Sequence, residues 1–335
     1  MANNNDKKKT NLIDSYNKNT TNKIVGLIDK NPKDWQQLIA NNPVYSVSGQ
    51  NPVTYKGVNA ISLAITNADR GNTDNRFMTR RAVEKAGLEI KESAKAMQIS
   101  YLRPRERDVN GEKKQIPMMS VGYVYSANDI KGIKPAPKDI AALQLSQEQL
   151  IEKSAIPVVR STKQLISEFN AEKNEIQIAS EIFDQGGDGL ISNYAALATK
   201  AAVDQHYTKD SQDMKDFKSQ MSAALITQSV GAKFALKGNV KDVKNSFDTE
   251  FLKDAKQGMK AVRSSAKIAN IVANGKSFEM IKEKNSKSLT PVKKNIKERS
   301  ERLNKAKAGV EKKPTQREKL NKQRANAKEK GRSSR

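Results

Sequence analysis

Apolar residues recur at helical spacing in the first part of the chain. Ile24, Leu27 and Ile28 predict a short helix, Pro32 closes it, and Trp35, Leu38 and Ile39 predict another turn or two. Pro43 to Pro52 reads as a loop, after which Val58, Ile61, Leu63 and Ile65 begin a longer helix. Thr79 to Gly87 has the marks of a complete short helix: Thr79 as N-cap, Val83 and Ala86 on the buried face, and Gly87 as the stop. The period then changes to two. Met97, Ile99 and Tyr101 alternate with polar residues, Val121, Tyr123 and Tyr125 do the same, and Asn110-Gly111 between them signals a hairpin. Arg103, Arg105 and Arg107 share one parity and would project from one face, while Pro104 places their strand at a sheet edge.

Ile130 to Pro137 reads as a linker, and the pattern beyond it is largely helical: Ala141–Lys153, Thr162–Ala171, Ile191–His206, Met214–Val230 and Asn239–Ala273. The expected organisation has four parts. Residues 1–20 are polar and of low complexity, and are expected to be mobile. Residues 21–138 form an α+β domain with helices packed on a small antiparallel sheet. Residues 139–277 form an α-rich domain, and 278–335 a disordered basic tail.

Charge adds a partner to this picture. The 335 residues carry a formal net charge of +24, with only 36% hydrophobic residues. From Ile281 to Arg335 there are 20 Lys/Arg against 6 Asp/Glu. Such a segment cannot bury enough apolar surface to offset chain entropy, and a dense polycation attracts polyanions by counterion release. Nucleic acid is the favoured polyanion; a purely solubilising tail and an anionic membrane surface are the alternatives. The chain has no Cys and one His, His206, which excludes disulfide scaffolds, thiolate chemistry and His-pair zinc sites. No stretch is long and apolar enough to span a membrane, so a soluble, cytoplasmic protein without membrane insertion is expected.

Binding nucleic acid takes cations for phosphates, and an unpaired strand would also use exposed rings for its bases. Trp35, Tyr45, Tyr55, Phe77, Tyr101, Tyr123 and Tyr125 are interleaved with Lys56, Arg76, Arg80, Arg81, Lys91, Lys95, Arg103, Arg105 and Arg107. Tyr55 beside Lys56 suits stacking with an adjacent phosphate contact, or plain packing; Gly57 permits a close backbone approach. Asn59 suits contact with backbone or base edges, or helix capping. Trp35, Phe77, Tyr123 and Tyr125 are expected in the core. Asp184-Gln185-Gly186-Gly187-Asp188-Gly189 lacks the closing Glu of a calcium loop and reads as a turn. No nucleophile, metal or cofactor motif stands out, so no catalytic residue and no cofactor is expected.

The block Asn51-Pro-Val-Thr-Tyr-Lys-Gly-Val-Asn59 resembles the Y-x-G-x-N motif in the N-terminal domain of ArdC-type antirestriction proteins, a domain also found in TraC-type plasmid primases. Phe77-Met78-Thr79-Arg80-Arg81-Ala82 resembles that domain's aromatic-x-Thr-basic-x-Ala helix, and Tyr123 to Gly132 resembles its closing strand. The resemblance covers roughly residues 30–135. The family's glycine-bearing turn is replaced by Lys91-Glu92-Ser93-Ala94-Lys95-Ala96. It implies a sequence-tolerant, non-enzymatic single-stranded DNA-binding protein of a mobile element, serving conjugation or antirestriction, with a restriction enzyme or conjugation protein as further candidate partners. The strand-binding candidates are Tyr55, Lys56, Asn59, Thr79, Arg80, Arg81, Lys91, Lys95, Arg103 and Arg105. The C-terminal half of the family is similar to a zinc metallopeptidase with an H-E-x-x-H helix. Asn193 to Leu197 resembles the approach to that helix, and the ligand positions fall near Thr199, Lys200 and Val203, none of which binds zinc. The implied domain is a peptidase-like fold without its metal chemistry. Two other classes stay open: a scaffold protein whose tail alone binds polyanions, and a metal-dependent hydrolase.

Overall fold

Helix α1 spans Asn4–Lys30, so the expected mobile N-terminus is mostly helical. The computed structural model describes residues 4–47, 53–109, 112–136, 146–243 and 247–276, with side chains from Leu12 onwards. Tyr16, Thr20, Thr21, Ile24, Leu27 and Ile28 form one buried stripe along α1. Two threonines at its centre disguise the stripe in the sequence. Thr21 is accommodated because its hydroxyl donates to the carbonyls of Asn17 and Lys18, so burial leaves no donor stranded. The basic tail and the hairpin tip Asn110-Gly111 lie outside the described residues.

Next come α2 (Trp35–Ala40), β1 (Tyr45–Ser46), β2 (Val53–Thr54), α3 (Gly57–Asp69), β3 (Arg76–Met78), α4 (Arg80–Lys85), β4 (Glu89–Ile90), β5 (Met97–Val109), β6 (Glu112–Ser126) and β7 (Ile130–Lys131). A five-stranded sheet runs β2-β1-β3-β6-β5, and β4 pairs with β7. The sheet is mixed rather than purely antiparallel, because β1 and β3 run parallel. β5 is the edge strand that Pro104 indicated. β3 pairs with β6 only at Ser126 and Tyr125, whereas β5 and β6 stay paired out to Val109 and Glu112. Over most of its length the pair is therefore a two-stranded ribbon, where Pro104 opposite Pro117 interrupts no third strand.

The second half contains α5 (Gln147–Glu152), β8 (Val158–Arg160), β9 (Ile166–Asn170), β10 (Glu175–Ile178), α6 (Ser180–Gln185), α7 (Gly187–His206), α8 (Gln212–Ser229), β11 (Asn239–Val240), α9 (Glu250–Lys253) and α10 (Ala255–Ala273). It carries a four-stranded sheet, β11-β9-β10-β8. The expected helix over 162–171 is instead strand β9: Leu165, Ile166 and Phe169 imitate helical spacing. Buried Ser167 makes the strand specific by accepting from the Ala179 N–H at 3.0 Å and the Asn193 amide at 3.2 Å.

Residue 138 does not separate two cores. Residues Met1–Met280 form one compact unit, with a hydrophobic cluster running from Tyr16 to Val272. Trp35 is buried as expected, stacked on Phe217 of α8 with ring centroids 6.3 Å apart. Gln36 donates to Gln220 at 2.6 Å, and Gln228 donates to the Ile39 carbonyl at 2.6 Å. Helices α1 and α10 meet at Gly258, where a Cβ would stand 2.8 Å from the Leu252 carbonyl oxygen and 3.0 Å from a Thr21 methyl. Only glycine permits that approach. At the start of α8, Lys218 (1% exposed) pairs with Asp210 and sits 4.0 Å from the Tyr207 ring centroid.

Candidate nucleic-acid interface

The expected site residues fall into three places. The first surrounds the start of α3. Tyr55 packs edge-on to Phe77 with centroids 6.3 Å apart; burial raises its pKa, and a hydrogen bond with Ser46 tempers the rise. Lys56 is exposed beside it. Gly57 has φ +60°, and a Cβ there would lie 3.2 Å from the Ala266 Cβ, so the close backbone approach it permits is to α10 rather than to a phosphate.

Asn59 neither caps α3 nor faces solvent; Lys56 holds the N-cap position. Its amide donates to the Ser100 carbonyl at 2.7 Å and accepts from the Ser100 N–H at 2.8 Å and the Tyr16 hydroxyl at 3.1 Å. A single side chain thus satisfies both outward backbone groups at one point of the edge strand. Asn59→Ala would strand these groups, and urea unfolding of the full chain should show a loss of about 2–3 kcal/mol.

The second place is the sheet face opposite Phe77. Strand alternation puts Met97, Val124 and Phe77 on the core face and Gln98, Tyr123, Tyr125 and Met78 on the other. Tyr123 and Tyr125 are therefore neighbours about 6.8 Å apart along one strand face. Thr79 caps α4 through the Ala82 N–H at 3.2 Å, as expected. The helix it starts carries Arg80 over the Tyr125 ring, 6.0 Å from the centroid, with a guanidinium N–H donating to the hydroxyl at 3.4 Å. Arg81 is exposed on the same helix.

Beside Tyr123 opens a cleft of about 470 Å³ between α1, α3 and the start of β5. Lys23, Arg70, Asn19 and Gln98 line it with Tyr123. Arg70 donates to the Lys95 carbonyl at 3.0 Å and lies 3.7 Å from the Asp129 carboxylate. Lys91 donates to the Asn128 carbonyl at 2.6 Å. Lys23 and Arg70, which the sequence does not single out, thus share the cleft beside Tyr123, with the Lys95 backbone and Asp129 next to Arg70, while Lys91 is held at the Asn128 carbonyl and Arg80 at the Tyr125 ring. Burial lowers the pKa of Lys23, and the nearby Arg70 lowers it further against an opposing effect of Asp69. Two cations sharing a half-sheltered cleft repel each other, and an anionic ligand would relieve that repulsion.

The expectation that Tyr123 belongs to the core is corrected here: its side is 48% exposed, because Val124 takes the core position between the two tyrosines. Phe77 is fully buried as expected, and Tyr125 is half-buried. Tyr55 and Lys56 lie on the Phe77 side, and so are not brought together with Arg80. The third place is the ribbon, which carries Arg103 and Arg105 away from both.

In the second half, the Thr199 hydroxyl donates to the Ala195 carbonyl at 2.8 Å and the Ser219 carbonyl at 3.0 Å. Lys200 pairs with Asp204, and Val203 is in the core. These side chains offer a metal no ligand set. Among the described residues no three His, Asp or Glu side chains are grouped to hold an ion. Asp184 forms a bidentate pair with Arg160 at 2.8 and 2.7 Å beside the α6–α7 turn. Among the described residues no helix is long and apolar enough to cross a membrane.

Residues 14–125 match the family model described as the N-terminal domain of anti-restriction factor ArdC. Two crystal structures of the antirestriction ArdC protein from the R388 plasmid share the fold. The metal-free one has a TM-score of 0.58 and 18% identity, and covers 77% of this chain and 97% of that one. The Mn(II)-bound one has a TM-score of 0.53 and 14% identity, covering 75% and 96%. No curated protein sequence matches this chain. Residues 14–125 are thus matched as an ArdC N-terminal domain, and the fold shared with the R388 ArdC protein continues past it into the helical half.

Proposed function

We propose that this protein binds single-stranded DNA without sequence preference and serves a mobile element as an antirestriction or conjugation factor. The observation that carries the reading is the exposed Tyr123 ring lining a cleft with Lys23 and Arg70, two positions along its strand from Tyr125 under Arg80. Exposed rings within a cationic surround are what sequence-tolerant strand binding uses. The antirestriction part rests on the matched ArdC domain and on the name of the R388 relative. A restriction enzyme or a conjugation protein is the further partner in this reading. The helical half acts by packing and not by catalysis, since Thr199, Lys200 and Val203 supply neither a metal ligand nor a general base.

The test is a fluorescence-anisotropy titration of residues 1–280, the compact unit without the basic tail. Single strands should bind more tightly than duplex of the same sequence. The log–log salt slope should be about −0.7 per phosphate contacted. Equal binding of the two forms, or none, would sink the reading. Loss of all DNA binding on tail removal would favour the scaffold alternative.

A further inference from the structure

We infer that the β5–β6 ribbon is a second nucleic-acid contact, and that its cationic face engages duplex DNA. Arg103, Arg105 and Arg107 recur on alternate positions of β5, about 6.8 Å apart on one face. Lys114, paired across from Arg107, extends the row. Arg103 and Arg107 are exposed and Arg105 is half-buried. Lys114 is held by Glu112 at 2.7 Å, but the three arginines make no ion pair among the described residues. The opposite face carries Glu106 and Asp108, with Glu106 held 3.3 Å from Lys113. The ribbon therefore separates its charges by face, and its uncompensated cations stand on one side only.

Two features favour a duplex over an unpaired strand. Along the arginine row itself there is no ring: Tyr101, 45% exposed, stands at its base, lying over Gly122. Stacking, the main device for holding unpaired bases, has no ring to use beside Arg105, Arg107 and Lys114. A two-stranded ribbon also fits the B-form major groove, about 12 Å wide, whereas the major groove of A-form RNA is too narrow to admit it. The carboxylates of the opposite face would point away from the phosphates. The competing account is that charge on an edge strand only deters strand-to-strand association.

The experiment compares the full chain with its R103Q/R105Q/R107Q variant, so that the tail's contribution is common to both. The probes are a labelled DNA duplex, one of its strands alone, and an RNA duplex of the same sequence. The variant should bind duplex DNA at least about tenfold more weakly, with a salt slope shallower by about 2–3, as three lost contacts at about 0.9 each require. Single-strand and RNA-duplex affinities should stay within about threefold, and the melting temperature should hold, because these side chains are not in the core. Unchanged duplex affinity would overturn the inference in favour of edge protection. An equal loss for the single strand or for duplex RNA would overturn it too, making the ribbon an undiscriminating cationic arm. The inference does not depend on the Tyr123 cleft. A Tyr123→Ala protein that keeps its single-strand affinity would sink the proposed function, while a duplex defect in the ribbon variant would still stand.

Discussion

Tyr123→Ala should weaken binding of single-stranded DNA about five- to 150-fold, the equivalent of one lost base–ring stack worth about 1–3 kcal/mol. The ring is 48% exposed and belongs to neither hydrophobic cluster, so the urea midpoint should hardly move. Tyr123→Phe retains the stacking surface and should bind nearly as well as the parent. Anisotropy titrations at two salt concentrations, read beside unfolding curves, separate loss of contact from loss of fold. A Tyr123→Ala protein that binds like the parent would mean the tyrosine face is not the platform.

The largest stability effect should come from Asp210→Ala. Lys218 is 1% exposed; Asp210, at 21%, is its ion-pair partner among the described residues, and the Tyr207 ring lies against the ammonium. Removing the carboxylate leaves a buried ammonium without its counter-ion, which costs about 3–5 kcal/mol. The penalty should depend on pH in a definite direction. Burial, the dominant influence, holds the Lys218 pKa below 10.5, while Asp210 opposes it. Loss of Asp210 drives the folded-state value lower still. Between that value and 10.5 the unfolded chain binds the extra proton, so the variant gains stability as pH rises through this window. Urea titrations at neutral pH and near pH 9 should show the gap to the parent narrowing. A gap that is constant or widens with pH would mean that Lys218 does not carry a buried charge.

Short-range features of the fold were legible in the chain because each has a local cause. Thr79 caps because its hydroxyl meets a nearby N–H, Pro104 marks an edge because it lacks a donor, and period-two alternation follows from the pleat. What escaped depends on distant partners. The polar stripe of α1 becomes core only because β5, α3 and α10 are there to receive Tyr16, Thr20 and Thr21. Strand β9 exists because β10 and β11 flank it, while its own residues imitate a helix. The candidate site divides in the same way. Arg80, Lys91 and Lys95 were found as cations near aromatic residues. Lys23 and Arg70 were missed because α1 and the end of α3 meet the sheet only in three dimensions. Asn59, a strand-binding candidate by its motif position, turns its amide to the backbone of Ser100, a partner 41 residues away that no local pattern reveals.

The contact between the first and last described helices bears on how the chain is made. Arg263 of α10 donates to Asn17 of α1 at 3.1 Å across 246 residues, and Gly258 of α10 admits Thr21. On the ribosome, α1 emerges long before the surface that covers it. Tyr16, Ile24, Leu27 and Ile28 must wait, exposed or held by a chaperone, until synthesis passes residue 273. A fragment ending near residue 138 would inherit that unfinished state for good, and should be recovered as aggregate rather than as a free-standing domain.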